Sequence, residues 1–522
     1  MNTKSILCFN LLFIALSGLL RTYAQADLIP LQRWFSQEID RSVTRDSTNL
    51  HIGSKPISLG DLKGMKVQAL DRDSTKIYHP FLNYLYRRHL VELNHEKVRL
   101  TIDPLVHFAF WQDLADTTAY PDTTNFIQNT RGVKVAGRIG DQFAFETGFY
   151  ENQAQWPEFM RQQAVSLGVA PGMGRWKDYR FEGFDYSMSY AYLHYQFKKL
   201  LRLHAGQGKY FIGHGYRSLI LSDAAYNYPF LAATLESPNK KWQYTSRYMA
   251  LQTLERLPLG EVPEALFKRK AMTMHYLSWA PHSRIEIGLF EGIVWNRYGS
   301  QGHHMPSWGA YIPIIGLNTA ALGLEKANNV LLGLNARLEI RSDLMWYGQA
   351  VLDQSETQGM GYQIGLKWFD VLPRLDIQVE FNSIGQKVYT HNLGLESYSH
   401  FNQSLGTPVG PNSEEVLGIV EYRFRRAVLR CKAQQIKRSQ ATNAPWYVTQ
   451  YDVHFQPVAQ TIWQVDGQIG LRLNVKYNLE LLATWTWRED IFNSQTTERQ
   501  MLKSQVLGIS LRSGLQNLYN DF

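Results

Sequence analysis

Residues 98–110 read VRLTIDPLVHFAF, and apolar side chains recur at every second position of this segment. Because successive side chains of an extended strand point to opposite faces, one face carries Val98, Leu100, Ile102, Pro104, Val106, Phe108 and Phe110, and the other carries Arg99, Thr101, Asp103, Leu105 and His107. A strand of about ten residues with an apolar outer face and a polar inner face is typical of transmembrane β-barrels. Pro104 has no amide hydrogen for the ladder, so we expect a bulge or local distortion there.

The same alternation returns in later segments, which are separated by short and long connections in turn. Short ones include Gly140-Asp141 and Arg425-Arg426, whereas the long ones are 153–184, 210–270, 295–328, 383–414 and 489–503. Outer-membrane barrels use short periplasmic turns and long extracellular loops, so the pattern predicts an all-β, antiparallel barrel of about 16 strands. The strand-like segments 242–252 and 446–455 fall inside long connections, where they either form loop hairpins or raise the count to about 18.

Both ends of the chain carry features of export to the outer membrane. Lys4 precedes an apolar stretch over residues 6–20, and Ala24-Gln25-Ala26 supplies small residues before Asp27. This order predicts a signal peptide over residues 1–26, and the apolar stretch is too short to span a bilayer core of roughly 30 Å comfortably. We interpret Phe522, which follows the alternating segment 506–515, as the terminal aromatic residue that closes the last strand and directs barrel assembly.

Residues 27–96 have a helical rather than a two-residue period. Leu28, Leu31, Phe35 and Ile39 mark a first helix, and a second apolar face is formed by Leu82, Leu85, Tyr86, His89, Leu90 and Leu93. We therefore predict a short helical periplasmic region over residues 27–96, with His89 packed in the helix face, and a barrel over residues 97–522.

Composition narrows the possible partners. The sequence has 13% aromatic residues and a formal net charge of +8, without a concentrated basic tract. Aromatic girdles of a membrane barrel account for the high aromatic content. The positive net charge mildly favours acidic glycans or lipopolysaccharide phosphates as partners, and nucleic acid is not expected. The 2 cysteines are Cys8, in the predicted leader, and Cys431, so an intramolecular disulfide is excluded after cleavage.

The segment 204–223, HAGQGKYFIGHGYRSLILSD, is the most distinctive part of the sequence. Its glycines allow tight turns at the top of a strand, and it crowds aromatic, charged and amide groups of the kind that bind sugars. The candidate polysaccharide-binding residues are Lys209, Tyr210, His214, Tyr216, Arg217 and Asp223. An equally weighted interpretation is a loop folded into the lumen, with its charges satisfied by partners on the barrel wall.

The run from Gly206 to Asp223 resembles the Wzi-type capsule assembly proteins, and it is still more similar to the Wzi-like outer-membrane proteins of gliding bacteria, the RemB-type group. Further similar stretches are 271–295, 329–335 and 398–412. The resemblance implies an 18-strand barrel with a helical N-terminal element and a lectin-like activity that holds exopolysaccharide or capsule at the cell surface. A component of the gliding-motility or secretion envelope machinery and a passive diffusion pore remain the alternatives.

Enzyme and metal chemistry have weak support in the sequence. Gly-x-Ser-x-Gly and His-Glu-x-x-His motifs do not occur. Glu286 and Glu291 could suggest paired carboxylates, but five residues apart they face opposite sides of a strand, one as a lumen group and one as a rim group. His303-His304 lacks further ligands nearby in the sequence. We therefore expect neither catalysis nor a metal or cofactor.

Overall fold

The computed structural model describes residues 27–62, 65, 79–115, 125–180, 182–198, 200–257, 267–299, 302–303, 305, 312, 314–317, 329–353, 359–391, 394–439, 459–493 and 500–522. The predicted leader, residues 1–26, and the strand-like segment 446–455 lie outside these residues.

Within the described residues, 18 long antiparallel strands hydrogen-bond side by side into one closed barrel, as the alternation predicts. They are β1 (Val98–Asp113), β2 (Asn125–Ile139), β3 (Phe143–Ala154), β4 (Gly183–Phe197), β5 (Leu201–Gly208), β6 (Tyr228–Glu236), β7 (Trp242–Arg256), β8 (Phe267–His282), β9 (Ile285–Asn296), β10 (Asn329–Arg341), β11 (Leu344–Asp353), β12 (Gly359–Leu372), β13 (Leu375–Ile384), β14 (Ser413–Phe424), β15 (Ala427–Arg438), β16 (Ala459–Asn474), β17 (Leu479–Asn493) and β18 (Gln500–Arg512). The barrel closes where β18 pairs with β1, with Val506 opposite Asp113 and Arg512 opposite His107.

The lengths of the connections distinguish the two ends of the barrel. The short-turn end carries turns such as 283–284 and 425–426, and the long-loop end carries connections such as 155–182, 209–227 and 385–412. The sequence left two interpretations open for the segment 242–252 in the long stretch 210–270, and the structure confirms the second, because β6 and β7 are wall strands within this stretch. A compact turn joins them, in which the backbone N–H of Ser237 donates to Trp242 O at 2.8 Å. This pair of strands raises the count from 16 to 18.

The first strand has the predicted two faces. Phe108 and Phe110 are 44% and 47% exposed on the outside, whereas Asp103 and Leu105 are buried inside. The predicted distortion at Pro104 is wrong: the ladder with β2 is unbroken and Pro104 lies opposite Val133. On its other edge, β1 pairs with the short strand Val91–His95 only up to Ile102 and with β18 only from His107 onward. Pro104 therefore lies in the gap between these two partners, where its missing N–H disrupts no ladder.

Two helices lie in the predicted helical region, α1 (Arg33–Asp46) and α2 (Pro80–Arg87). The second ends earlier than predicted, because Arg88 is extended and the chain then forms the strand Val91–His95 on β1. His89 is consequently not packed in a helix face; its Nδ1 lies 2.8 Å from the Asp103 carboxylate.

No helix among the described residues is both long enough and apolar enough to cross a bilayer.

Helix α1 lies against the inner wall near the short-turn end. The Lys367 ammonium contacts Asp40 at 2.6 Å, and the Arg423 guanidinium contacts Glu38 at 2.8 Å. These carboxylates are buried, so their charges are compensated by the wall rather than by water. After α1, the two-residue strand Ser54–Lys55 pairs with Phe211–Ile212 inside the barrel. The N-terminal segment is therefore part of the lumen filling.

The Asp40–Lys367 ion pair gives a test of this docking. We expect Asp40→Asn to lower the free energy of unfolding by about 3–5 kcal/mol, because it leaves a buried ammonium without its partner. The matched control is Asp343→Asn, whose partner Arg341 is 60% exposed and which should cost at most about 1 kcal/mol. Unfolding of the full chain by guanidinium chloride in detergent measures the free energy of unfolding of both variants. Equal losses in the two variants would contradict a structural role for the Asp40–Lys367 pair.

Candidate functional site

The barrel lumen is filled by the chain itself. An apolar core joins the connection 209–227, through Ile212, Leu219, Ile220 and Leu221, to Val388, Tyr389, Tyr398 and Leu405 of the connection 385–412. The same core includes inward side chains of the wall, among them Met249, Met272, Phe290 and Val351. Two tyrosine hydroxyls bind the connections together, since Tyr389 donates to Leu219 O and Tyr398 to Ile220 O, each at 2.7 Å.

A third connection, 155–182, also enters the lumen from the long-loop end; we call such lumen-filling segments inserts. Helix α3 (Glu158–Leu167) packs with Trp156, Tyr150 and Phe184 in a second apolar cluster on the inner faces of β3 and β4. Trp156 stacks on Phe184 with ring centroids 4.8 Å apart. The helix is thereby fixed over the lumen.

The C-terminal segment 513–522 also enters the lumen. The strand β18 ends at Arg512, opposite His107, and the strand Val91–His95 continues the wall beside β1 from Ile102. The chain beyond Arg512 turns inward, and Tyr519, Asp521 and Phe522 are buried. Phe522 does not close the last strand as predicted; its backbone carbonyl accepts a hydrogen bond from Arg488 at 3.1 Å.

Arg217 is the centre of a charged network in this interior. It is fully buried, and its guanidinium contacts the Glu415 carboxylate of β14 at 2.7 Å and the Asp521 carboxylate at 3.1 Å. Lys432 of β15 also contacts Asp521. Burial by itself raises the pKa of Asp521, but Arg217, Lys432 and Arg33 hold this pKa well below its usual range. The loop, the wall and the C-terminal segment are joined by one set of ion pairs.

Tyr216 belongs to the same network. The Arg33 guanidinium of α1 lies 3.2 Å from the centre of the Tyr216 ring, and Lys432 Nζ lies 3.1 Å from its hydroxyl. The hydroxyl also donates to Asp521.

Lys209, Tyr210 and Asp223 hold the two ends of the loop. Lys209 Nζ donates to the backbone carbonyls of Gly172 at 2.7 Å and Asp223 at 3.0 Å. The Arg247 guanidinium lies 3.5 Å from the centre of the Tyr210 ring. The Asp223 carboxylate accepts hydrogen bonds from Tyr519 and from Asn517, the latter at 2.8 Å.

His214 differs from the other five candidates. It is fully buried, neither ring nitrogen has a hydrogen-bond partner among the described residues, and Nε2 lies 3.9 Å from Glu286. Burial lowers the pKa of His214 well below its ordinary value, and the charges of Lys55, Arg337 and Lys367 act in the same direction. The ring is therefore neutral at physiological pH.

The structure thus brings all six predicted site residues into the barrel interior. This arrangement matches the interpretation of an inward-folded loop whose charges have partners on the wall, and contact of these side chains with polysaccharide stays a prediction. The sequence analysis missed their partners Arg33, Glu415, Tyr519 and Asp521. For the last two, the loss of alternation at Ser513-Gly514 was an available signal.

Glu286 and Glu291 face opposite sides of β9, as predicted. Glu286 points inward and accepts backbone hydrogen bonds from Ile52 and Gly53 at 3.2 and 3.0 Å. Glu291 lies on the outward face, where it is covered and accepts from Gly316 N at 3.0 Å. His303 Nε2 accepts from Arg269 N, and His304 lies outside the described residues. In the part of the chain that the structure describes, no three His, Cys, Asp or Glu side chains are placed to share a metal ion.

A cavity of about 380 Å³ remains in the lumen, on the side opposite the apolar core. Most of its wall is formed by β14–β18 and β1, through residues such as Lys432, Gln464, Thr484 and His107. Helix α1, the segment 515–521, Phe159 of α3, Tyr216 and Asp223 of the loop, Lys367 of β12 and Gln378 of β13 also line it. This volume lies within the range of about 300–1,000 Å³ that is usual for small-molecule sites.

The closed 18-strand barrel with an apolar exterior has the fold of an outer-membrane β-barrel. No family model and no curated protein matches the sequence. Among solved structures, the chain is similar to Wzi of Escherichia coli, an outer-membrane protein involved in group 1 capsule assembly and described as a carbohydrate-binding β-barrel. The TM-score is 0.54 and the identity 14%, over 94% of this chain and 100% of Wzi.

Two porin-like structures are also similar. OccAB2 of Acinetobacter baumannii has a TM-score of 0.42 and 10% identity, over 79% of this chain and 97% of its own. OprD of Pseudomonas aeruginosa has a TM-score of 0.40 and 9% identity, over 79% of this chain and 92% of its own. The likeness to Wzi shows the fold and confirms that part of the sequence resemblance; the RemB-type grouping rests on the sequence resemblance alone.

Lys209 gives a test of the buried loop. Burial lowers the pKa of Lys209 to about 8, against the charge of Asp223, which raises it; the unfolded chain holds its proton until about 10.5. Between these values the unfolded state binds more protons, so the contribution of Lys209 to stability rises with pH. We expect the stability of the wild type relative to Lys209→Met to increase from pH 8 to pH 10.5.

Chemical unfolding of both proteins in the same detergent at a series of pH values measures this difference, and the many buried tyrosines cancel in the comparison. A difference that is independent of pH in this window would show that folding does not lower the pKa of Lys209.

Proposed function

We propose that this chain is a non-enzymatic outer-membrane protein that binds or anchors surface polysaccharide or capsule. The observation that carries the proposal is a barrel of Wzi-like fold whose lumen is filled by its own chain. Barrels of 16–18 strands whose lumen is left empty form aqueous channels, whereas here apolar side chains from two connections meet in the interior. The sequence resemblance at 204–223 and the likeness to the carbohydrate-binding barrel Wzi support the same function.

The orientation follows from the export features of the sequence. A signal peptide delivers the chain to the periplasm, and the short turns and α2 stay on that side, with α1 inside the barrel near them. The end from which the long connections and α3 arise is on the outside, where lipopolysaccharide and polysaccharide are the available partners. No comparison supports a motility or secretion role, so that alternative stays an expectation from the sequence resemblance.

Binding can be measured with the polysaccharide of the producing organism. We expect the purified full chain to retain this polysaccharide in a pull-down, because the described residues fill much of the lumen and long connections arise at one end of the barrel. A deletion strain should release polysaccharide from its surface, and the wild-type gene should restore it. The proposal is wrong if the protein binds none and the deletion leaves the surface layer unchanged.

Conductance separates this function from a diffusion pore. We expect the wild-type protein to give no stable open-channel current in a planar bilayer, because the apolar core and the ion pairs of Arg217 occupy the lumen. OprD-type porins, reconstituted in parallel, serve as the positive control. A steady ohmic current from the wild type would favour the pore.

A further inference from the structure

The lumenal cavity has an imbalance in its hydrogen-bonding groups. Four buried polar atoms of its lining residues have no partner among the described residues: Arg33 Nη2, Trp34 Nε1, His107 Nδ1 and Arg512 Nε. Three of these are obligatory donors, and the histidine nitrogen can donate in one tautomer. A ligand that satisfies them must be rich in acceptor oxygens.

The charged groups that line the cavity also favour an anionic ligand. The acids that line the cavity already have partners: Asp466 contacts Lys432 at 2.9 Å, Asp521 contacts Arg217 at 3.1 Å, and Asp223 accepts from Asn517. Glu480 likewise contacts Arg472 at 2.8 Å. Arg33 and Arg512 have no carboxylate within salt-bridge distance in the described part of the chain. Neither arginine therefore has a carboxylate in direct contact, and the acids that interact with them at longer range, Asp521 with Arg33 and Glu480 with Arg512, already contact other cations.

Both arginines border the C-terminal insert. The backbone N–H of Arg33 donates to the Asn517 side chain at 3.3 Å, and Arg512 Nη2 donates to Gln516 O at 2.6 Å. Trp34 and Trp111 supply aromatic surface in the same cavity, and Gln464 and Gln468 supply amides. Guanidinium groups recognise carboxylate and phosphate oxygens, while ring faces and amides suit the carbon and hydroxyl surfaces of a sugar.

We propose that the lumenal cavity binds an anionic sugar unit, one that carries a carboxylate or a phosphate, with Arg33 and Arg512 contacting the anionic group. This inference rests on the proposed function and adds the class of sugar and the place where it binds. The cavity reaches from Arg33 of α1 to Phe159 of α3, so a saccharide held there lies beneath the helix that covers the long-loop end.

The test uses the full chain in detergent and short oligogalacturonate as the carboxylate probe. Glucose 6-phosphate serves as the phosphate probe, and a malto-oligosaccharide of equal length is the neutral control. Calorimetry should show binding of at least one anionic probe and at least tenfold weaker binding of the neutral sugar. Arg33→Gln and Arg512→Gln should each weaken binding of the anionic probe at least tenfold.

Arg341→Gln is the matched control, since it removes the same charge at an exposed turn, and it should leave binding unchanged. Trp34→Phe keeps an aromatic ring and removes the Nε1 donor, so it tests the cavity if an arginine variant does not fold. We expect a measurable loss of affinity for the anionic probe. The inference is overturned if the anionic probes do not bind, or if folded variants bind them as tightly as the wild type. In either case, retention of the native polysaccharide by the wild type would leave the proposed function standing.

Discussion

The guanidinium of Arg217 lies in the barrel interior without exposed surface and contacts carboxylates from two distant parts of the chain, Glu415 on β14 and Asp521 in the C-terminal segment. A buried cation is tolerated only when its lost hydration is replaced by well-placed anions and acceptors. For Arg217, these anions and acceptors are in place only when the loop 209–227, the wall and the segment 513–522 are folded together. The two segments therefore depend on each other: without the C-terminal segment, Arg217 and Lys432 would lose a shared partner, and without the loop, Asp521 would keep Lys432 but lose Arg217.

The need for inserts follows from the width of the barrel. Side chains of the wall fill a barrel of about eight strands, whereas 16–18 strands leave a channel unless other parts of the chain occupy it. In this chain the lumen is divided into two halves. Against β6–β13, apolar side chains of the wall and of two connections form a packed core. Against β14–β18 and β1, the wall presents amides, hydroxyls and charges to a cavity. One half of the lumen supplies stability, and the other leaves space for a ligand.

The sequence predicts the wall of this barrel well because each strand has one face towards lipid and one towards the lumen, and this constraint is local. It predicts the interior poorly because the partners there are distant in sequence: Arg217 and Asp521 are 304 residues apart. The strand β6 was not predicted for a local reason, since Tyr228-Pro229-Phe230-Leu231-Ala232-Ala233 has a proline at its second position and two alanines after Leu231, which weaken the signal of a strand. The end of α2 was misplaced because Leu90 and Leu93 fit a helical spacing, although pairing with β1 makes that segment a strand.

The C-terminal segment illustrates how a local irregularity in the wall controls the interior. Because β18 ends at Arg512, halfway along β1, the chain leaves the wall at mid-height and not at the rim. The strand Val91–His95 pairs with the part of β1 that β18 does not reach, up to Ile102. This exchange places residues 515–521 between the loop 209–227 and the polar wall, where they form one side of the cavity. The same break in the wall thus provides both the anion that compensates Arg217 and the segment that Arg33 and Arg512 each contact.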